Sequence, residues 1–161
     1  MNRTFVGWSR ATKQTLIGYT TPATYSAYQL DFLVSGNGWL VRDGADNVNA
    51  SLEFGPIPPG AKPPSFVTLL APRTAVGVKA DGTVLLVVVD GIEGTSGPNL
   101  YDMAGLMISL GAQHAVNLDG GGSSTAAYQG KLFNDAHCAD TPVICERNVS
   151  SIVCAAYPAA A

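Results

Sequence analysis

The sequence predicts an α+β domain in which a mixed or antiparallel sheet carries one main helix. Hydrophobic residues make up 47% of the 161 residues and charged residues only 13%, which suits one folded domain and excludes a largely disordered chain. With 18 glycines and 10 prolines, turns must be frequent. Short apolar runs outnumber helical patterns, of which one is convincing.

The first third of the chain consists of short predicted strands. Residues 4–8 and 15–19 flank a polar turn. Residues 30–34 and 39–42 flank Ser-Gly-Asn-Gly, which is typical of a hairpin. Residues 47–64 contain five prolines and are predicted to form a loop.

The middle of the chain has longer apolar segments. Strands are predicted at residues 66–70, 73–79 and 83–89. The last of these is apolar on both faces, as expected of a central strand. Residues 100–110 keep apolar side chains at helical spacing, with Asn99 as N-cap and Gly111 after the last turn. This is the helix that we expect to pack on the sheet.

The last third returns to strands and loops. Residues 115–119 and 123–128 are predicted strands on either side of a sharp triple-glycine loop, and residues 149–156 form a further one.

Composition narrows the class of protein. The net charge is −3 and the isoelectric point about 5.1, whereas nucleic-acid binders carry basic patches. The chain has no run of 18 apolar residues that could span a membrane. We therefore expect neither a nucleic-acid partner nor a membrane span.

Other features are typical of the secretory pathway, although the first five residues lack the apolar core of a signal peptide. Asn-x-Ser/Thr sequons begin at Asn2, Asn49 and Asn148. The three cysteines are an odd number, and one explanation is that the chain is a piece of a longer one. We expect a location in the secretory lumen (Golgi-like) or outside the cell.

The densest group of polar residues is Asn-Leu-Asp-Gly-Gly-Gly-Ser-Ser-Thr at 117–125. On a strand, Asn117 and Asp119 would point to the same side. The glycines would let a ligand approach the backbone, and their N–H groups could converge on an anion. The pattern predicts a carboxylate, Asp119, beside an oxyanion- or phosphate-binding loop formed by Asn117, Gly120, Gly121, Gly122, Ser123 and Ser124. The alternative is a tight turn with incidental hydroxyls.

Other glycine-rich motifs fit this segment badly. A P-loop needs a lysine after its glycines, a dinucleotide fingerprint needs a following helix, and a nucleophile elbow needs a further glycine after its serine.

A second candidate carboxylate is Asp90. Asp-Gly pairs occur four times in the chain, and turn chemistry explains those at Asp43 and Asp81. Asp90 instead ends an apolar strand ahead of a loop that leads to a helix, where α/β sheets tend to carry ligand sites. We therefore predict that Asp90 has a functional role.

Two arginines are candidates for binding phosphate. Arg73 opens a strand among apolar neighbours, and a guanidinium matches phosphate oxygens in a bidentate way. Its alternative role is a structural ion pair. Arg147, in the cysteine-containing segment, is the other candidate.

The histidines and cysteines do not predict a metal site. The chain has no Cys-x-x-Cys pair, which makes structural zinc unlikely and a Cys138–Cys145 disulfide the simpler interpretation. His137 is interpreted as a loop residue rather than a ligand or a base. No metal and no cofactor are predicted.

Together these residues resemble the phosphodiester glycosidase family. The resemblance is carried by residues 73–77, 89–91, 100–104 and 117–125, a set shared with bacterial members associated with exopolysaccharides. The segment from His137-Cys138 through Cys145 and Arg147 to Cys154 looks more like that of animal members, and it implies that Cys154 is unpaired here.

The resemblance implies a hydrolase that cleaves a sugar-1-phosphodiester. Animal members release N-acetylglucosamine and expose mannose 6-phosphate, so a phosphorylated N-glycan or another sugar phosphodiester is the implied substrate. Asp119 would act as the catalytic base or nucleophile, with Asp90 as its catalytic partner or as a sugar-binding group. The alternatives are a bacterial-type enzyme for exopolysaccharide or cell-wall phosphodiesters and a catalytically incomplete glycan-binding module.

Family domains usually begin with more chain, including an Asn-Gly-Phe-Phe-like segment that is not found before Thr4. Residues 1–161 are therefore expected to be a single, N-terminally shortened domain of this kind.

Overall fold

The computed structural model describes residues 3–138 and 147–156, which form an α+β fold with antiparallel sheets. In chain order its helices and strands are β1 (Thr4–Ser9), β2 (Gln14–Tyr19), α1 (Pro22–Tyr28), β3 (Phe32–Ser35), β4 (Trp39–Arg42), β5 (Ala45–Asp46), α2 (Ser65–Thr68), β6 (Arg73–Lys79), β7 (Val84–Val89), α3 (Leu100–Ser109), β8 (Ala112–Asn117), β9 (Ala127–Tyr128) and β10 (Lys131–Leu132). Short 3₁₀ turns occur at Val48–Ala50 and Gly121–Ser123.

Two sheets and a hairpin make up the strand pairing. The main sheet has five strands in the order β5-β4-β8-β6-β7, and the smaller one has three in the order β2-β1-β3. Strands β9 and β10 pair only with each other among the described residues. In the main sheet β6 lies between β8 and β7 and is antiparallel to both.

Apolar residues cover both faces of the main sheet. On one face Leu40 and Ala75 share a buried cluster with Leu100, Met103 and Met107 of α3. On the other face Val76 and Val116 share a cluster with Val6, Ile17 and Val34 of the smaller sheet. The main sheet is therefore the middle layer of the fold, and alternate residues of its strands enter opposite cores.

Helix α3 begins with the capping residues that the sequence predicts. The side chain of Asn99 accepts hydrogen bonds from the amides of Tyr101 and Asp102, at 2.8 and 3.0 Å, and Asp102 accepts one from the amide of Asn99. Gly111, at φ +89°, follows its C-terminus. The expectation of one main helix is met only in part, because α1 and α2 accompany α3.

The predicted hairpin at residues 30–42 is wrong. Strand β3 pairs with β1 in the smaller sheet, while β4 pairs with β5 and β8 in the main sheet. The linker between them joins the two sheets, since the amide of Gly36 donates to Thr4 O and that of Asn37 donates to Asn117 O.

Helix α2 replaces the strand predicted at residues 66–70, and α1 has no counterpart in the sequence predictions. At α1, Thr21 and Thr24 form a capping box and Pro22 occupies the first turn. This is a local signal from which the helix could have been predicted.

Strand β7 was predicted to be central, but it lies at the edge of the main sheet, with Leu86 47% exposed. An apolar run alone does not distinguish an edge from a central position. Of the predicted strand 123–128 only Ala127–Tyr128 is a strand, and residues 147–156 contain no regular secondary structure. None of the described helices is long and apolar enough to cross a membrane.

Candidate active site

Three strand ends lie along one edge of the main sheet, the edge that runs across the strands rather than along an outermost strand. Arg73 opens β6 opposite Val89, the last residue of β7, and Ala75 of β6 lies opposite Asn117, the last residue of β8. Because β6 is antiparallel to both neighbours, the segments that follow β7 and β8 leave the sheet at the edge where β6 begins. Asp90 and the Asp119–Gly122 segment are therefore brought to the same edge.

The segment after β8 folds into a 3₁₀ turn whose amides are mostly used within the protein. Four bonds occupy them: Gly120 N to Asp119 Oδ1 (3.0 Å), Gly121 N to Pro72 O (2.8 Å), Ser123 N to Gly120 O (3.1 Å) and Ser124 N to Gly121 O (3.0 Å). Only the Gly122 amide of this group has no hydrogen bond to a described residue. The loop therefore offers an anion one backbone donor rather than a ring of them.

Close approach of the protein to itself accounts for two of the three glycines. A Cβ on Gly120 would lie 2.9 Å from Pro72 O, and one on Gly122 would lie 2.8 Å from Sγ of Cys138. Gly121 has φ +56°, in the left-handed region. The triple glycine is thus required by the packing of this loop whether or not a ligand approaches it.

Asn117 and Asp119 differ in their surroundings. The Asn117 side chain is buried, and its Nδ2 donates to Asn37 O (3.2 Å) and Leu118 O (2.7 Å). Its Oδ1 is buried with no partner among the described residues. The Asp119 carboxylate is exposed, and among the described residues it accepts a hydrogen bond only from Gly120 N. Asp119 is available to a ligand, whereas Asn117 holds the linker beside β8.

Asp90 is held by a segment that the sequence predictions did not connect with it. Asn134 Nδ2 donates to Asp90 Oδ1 (2.9 Å) and to Ser124 O (2.9 Å), and the Asp135 amide donates to Asp90 Oδ2 (3.1 Å). Asn134 Oδ1 in turn accepts from Ala126 N (2.7 Å). Asn134 therefore joins the end of β7 to the chain that follows the glycine loop. The hydrogen bond from Asn134 to Asp90 joins residues that are 44 positions apart, so no local sequence pattern predicts it.

A pocket of about 280 Å³ opens beside Asp90. Its lining residues are Asp90, Gly91, Ile92, Ser96, Asp135 and His137. His137, which the sequence analysis interprets as a loop residue, is thus part of the wall of this pocket.

Arg73 is buried at the start of β6 and donates hydrogen bonds to main-chain carbonyls. Nη2 bonds to Phe66 O (3.1 Å) and Leu69 O (2.8 Å), Nε reaches Pro98 O (3.5 Å), and the guanidinium lies 4.8 Å from the centre of the Phe66 ring. Burial lowers the pKa of Arg73, and the nearby Glu93 carboxylate opposes that shift. Arg73 therefore connects β6 to α2 and to the start of α3.

Glu93 is a charged neighbour that the sequence predictions missed. Its Oε2 would lie 3.2 Å from a Cβ on Gly121, and its side chain is exposed.

The remaining predicted residues differ in their exposure. Ser124 is buried and its Oγ accepts from Thr74 Oγ1 (3.2 Å), while Ser123 is half-buried. Arg147 is exposed in the irregular segment 147–156. Cys154 is a free, exposed thiol, as expected. Cys145 lies outside the described residues, so the Cys138–Cys145 disulfide stays a prediction. No cluster of three or more metal-ligating side chains occurs within residues 3–138 and 147–156.

Several known proteins are similar to this chain in sequence. Residues 2–156 match the family model described as phosphodiester glycosidase. The chain is 37% identical over 130 residues to N-acetylglucosamine-1-phosphodiester alpha-N-acetylglucosaminidase of Bos taurus, which covers 78% of this chain and 25% of the relative. A 65-residue stretch is 46% identical to the prophage-derived protein YomE of Bacillus subtilis, covering 40% of this chain and 10% of that protein.

Among solved structures, the zebrafish catalytic domain of the same glucosaminidase, auto-inhibited by its pro-peptide, is similar with a TM-score of 0.76 and 29% identity. The match covers 92% of this chain and 50% of the zebrafish chain. The chain spans about a quarter of the length of the mammalian relatives that it matches.

Proposed function

Because this chain belongs to the phosphodiester glycosidase family, we propose that it hydrolyses the bond between the anomeric carbon of a sugar and a phosphodiester. The proposed sugar is N-acetylglucosamine, since the mammalian relatives are named for an N-acetylglucosamine-1-phosphodiester. The proposed products are free N-acetylglucosamine and a phosphomonoester, which on a phosphorylated N-glycan would be mannose 6-phosphate. Residues 1–161 are taken as one domain for this activity.

The observation that carries the proposal is that two carboxylates lie at the same edge of the main sheet. Asp90 and Asp119 follow strands that flank β6, and a pocket of about 280 Å³ opens beside Asp90. That volume is close to the lower limit of about 300 Å³ for small-molecule sites, so it suits one sugar ring better than an oligosaccharide.

The leaving group makes this reaction less demanding than ordinary glycoside hydrolysis. The bond from C1 to the phosphate oxygen breaks, and the electron pair leaves with a phosphomonoester whose second pKa is about 6. Such a group departs without a strong general acid, which relaxes the usual need for two catalytic carboxyls. The remaining requirement is a group that activates water or attacks C1 itself.

We assign that role to Asp119, whose exposed carboxylate accepts a hydrogen bond from the Gly120 amide. As a base it would take a proton from water while the hydroxyl adds to C1. As a nucleophile it would bond to C1, and water would then release the sugar. Asp90, fixed by Asn134 and the Asp135 amide, is assigned to binding sugar hydroxyls.

The Gly122 amide, the Ser123 hydroxyl and the Arg147 side chain are proposed to lie near the phosphate. Arg73 is proposed not to contact the phosphate but to hold α2 and the chain before α3 in place beside the loop. Location in the secretory lumen or outside the cell is likewise proposed, on the basis of the sequons at Asn49 and Asn148.

Release of N-acetylglucosamine from an N-acetylglucosamine-1-phosphodiester tests the proposed reaction. We expect Asp119→Asn to lower turnover at least 100-fold, because loss of a general base typically costs about 10²–10⁴ in rate. Binding of the sugar phosphate should stay within about threefold of the unchanged protein.

Asp43→Asn is the matched control. Asp43 is an exposed aspartate whose Oδ1 lies 3.7 Å from Nε2 of His114, near the start of β8 at the opposite edge of the sheet. Its φ of +54° is one that asparagine tolerates. Its turnover should be unchanged. Turnover of Asp119→Asn near that of the control would reject Asp119. Binding of the diester without sugar release by the unchanged protein would favour a glycan-binding module.

A further inference from the structure

We propose that His137 binds the phosphate group of the sugar phosphodiester held in the pocket beside Asp90. The inference rests on the proposed function and adds a phosphate-binding residue to it.

Most of the phosphate-binding groups that the sequence suggested are already engaged within the protein. Arg73 directs Nη2 and Nε at main-chain carbonyls, and the amides of Gly120, Gly121, Ser123 and Ser124 donate to protein oxygens. An anion in this pocket would therefore lose most of its expected donors, and a buried or half-buried charge without donors is costly.

His137 supplies a donor in the wall of the pocket itself. Its side chain is half-buried and makes no hydrogen bond or ion pair with a described residue. An imidazole carries at least one N–H whether it is neutral or cationic, so it can donate to a phosphate oxygen in either form. The pocket lining contains no lysine or arginine.

The backbone on both sides of His137 is fixed. Asn134 and the Asp135 amide bond to the Asp90 carboxylate, and the next residues, Ala136 and Cys138, are 1% and 2% exposed. Cys138 lies against Gly122, whose close approach leaves no room for a Cβ. The backbone is therefore held by Asp90 before His137 and by the glycine loop after it.

The other charges of the pocket are consistent with a ligand that has two different ends. The carboxylates of Asp90 and Asp135 would repel a phosphate but accept hydrogen bonds from sugar hydroxyls. We therefore place the sugar toward Asp90 and Asp135 and the phosphate toward His137.

Calorimetric titration with N-acetylglucosamine 1-phosphate and with free N-acetylglucosamine separates the two ends. We expect His137→Ala to weaken binding of the sugar phosphate at least tenfold and to leave binding of the free sugar unchanged. His137→Gln keeps an N–H donor and should recover part of the loss. His114→Gln, which changes the chain's other histidine at the far edge of the sheet beside Asp43, should bind both ligands as the unchanged protein does.

The other outcomes overturn the inference, the proposed reaction or both. Equal weakening of both ligands in His137→Ala would point to a general disturbance of the pocket, and unchanged binding of the sugar phosphate would exclude the contact. Failure of the unchanged protein to bind the sugar phosphate would reject both the inference and the proposed reaction. Binding with the expected His137 dependence but without sugar release would reject only the reaction.

Discussion

At the scale of single residues, the glycine loop illustrates how one pattern can have two physical causes. Gly120 and Gly122 would be required for ligand approach in a phosphate cradle, yet in the structure each is required by a protein neighbour. The amides confirm the difference, because most of them donate to protein oxygens. A glycine-rich sequence therefore predicts that another group packs closely against the backbone, but it does not predict whether that group is a ligand or another part of the protein.

Two glycine substitutions should change stability in opposite directions. In Gly122→Ala the new methyl group would lie 2.8 Å from Sγ of Cys138, and overpacking of this kind costs about 1–3 kcal/mol. In Gly105→Ala nothing lies within 4 Å of the new methyl group on the exposed face of α3, and the free energy of unfolding should rise by about 0.5–1 kcal/mol. Urea denaturation measures both. Similar stability of the two variants would contradict the packing account of the loop.

At the scale of secondary-structure elements, Arg73 determines where α2 lies. Helix α2 has only four residues, too few to be stable by itself. The carbonyls of Phe66 in this helix and of Leu69 directly after it accept hydrogen bonds from the guanidinium. The Phe66 ring packs against the same guanidinium and against Phe54. One side chain at the start of β6 thus anchors the segment that precedes it.

Arg73→Lys should be destabilising although it keeps the charge. A lysine cannot reach three carbonyls in the fork geometry of arginine, and each hydrogen bond to a charged group contributes about 1.5–3 kcal/mol. We expect the variant to lose about 2–3 kcal/mol of unfolding free energy. Arg10→Lys, at an arginine whose side chain is 85% exposed, should change it by less than about 0.5 kcal/mol. Equal effects at the two sites would show that Arg73 is not an anchor.

At the scale of the whole molecule, the sequence predicts local features well and pairings poorly. The capped helix at Leu100–Ser109 and the strand at Arg73–Lys79 follow from residues a few positions apart, and both are found. The hairpin predicted at residues 30–42 is wrong because turn residues predict a turn but not the strands with which its neighbours pair. In the structure Gly36 bonds to Thr4 and Asn37 to Asn117. The clustering of Asp90 with the glycine loop follows from strand ends, whereas the contact from Asn134 to Asp90 depends on the tertiary path of the chain.

The position of β7 at the rim of the main sheet has a consequence for how the protein behaves in concentrated solution. Val84–Val89 contains no charge and no proline, two of the features that keep an edge strand from pairing with further strands. Six apolar residues of this kind are also typical of segments that stack into fibrils. We expect light scattering to grow with concentration and storage time. Leu86→Lys should suppress that growth, while Leu110→Lys, which adds the same charge at the exposed end of α3, should not.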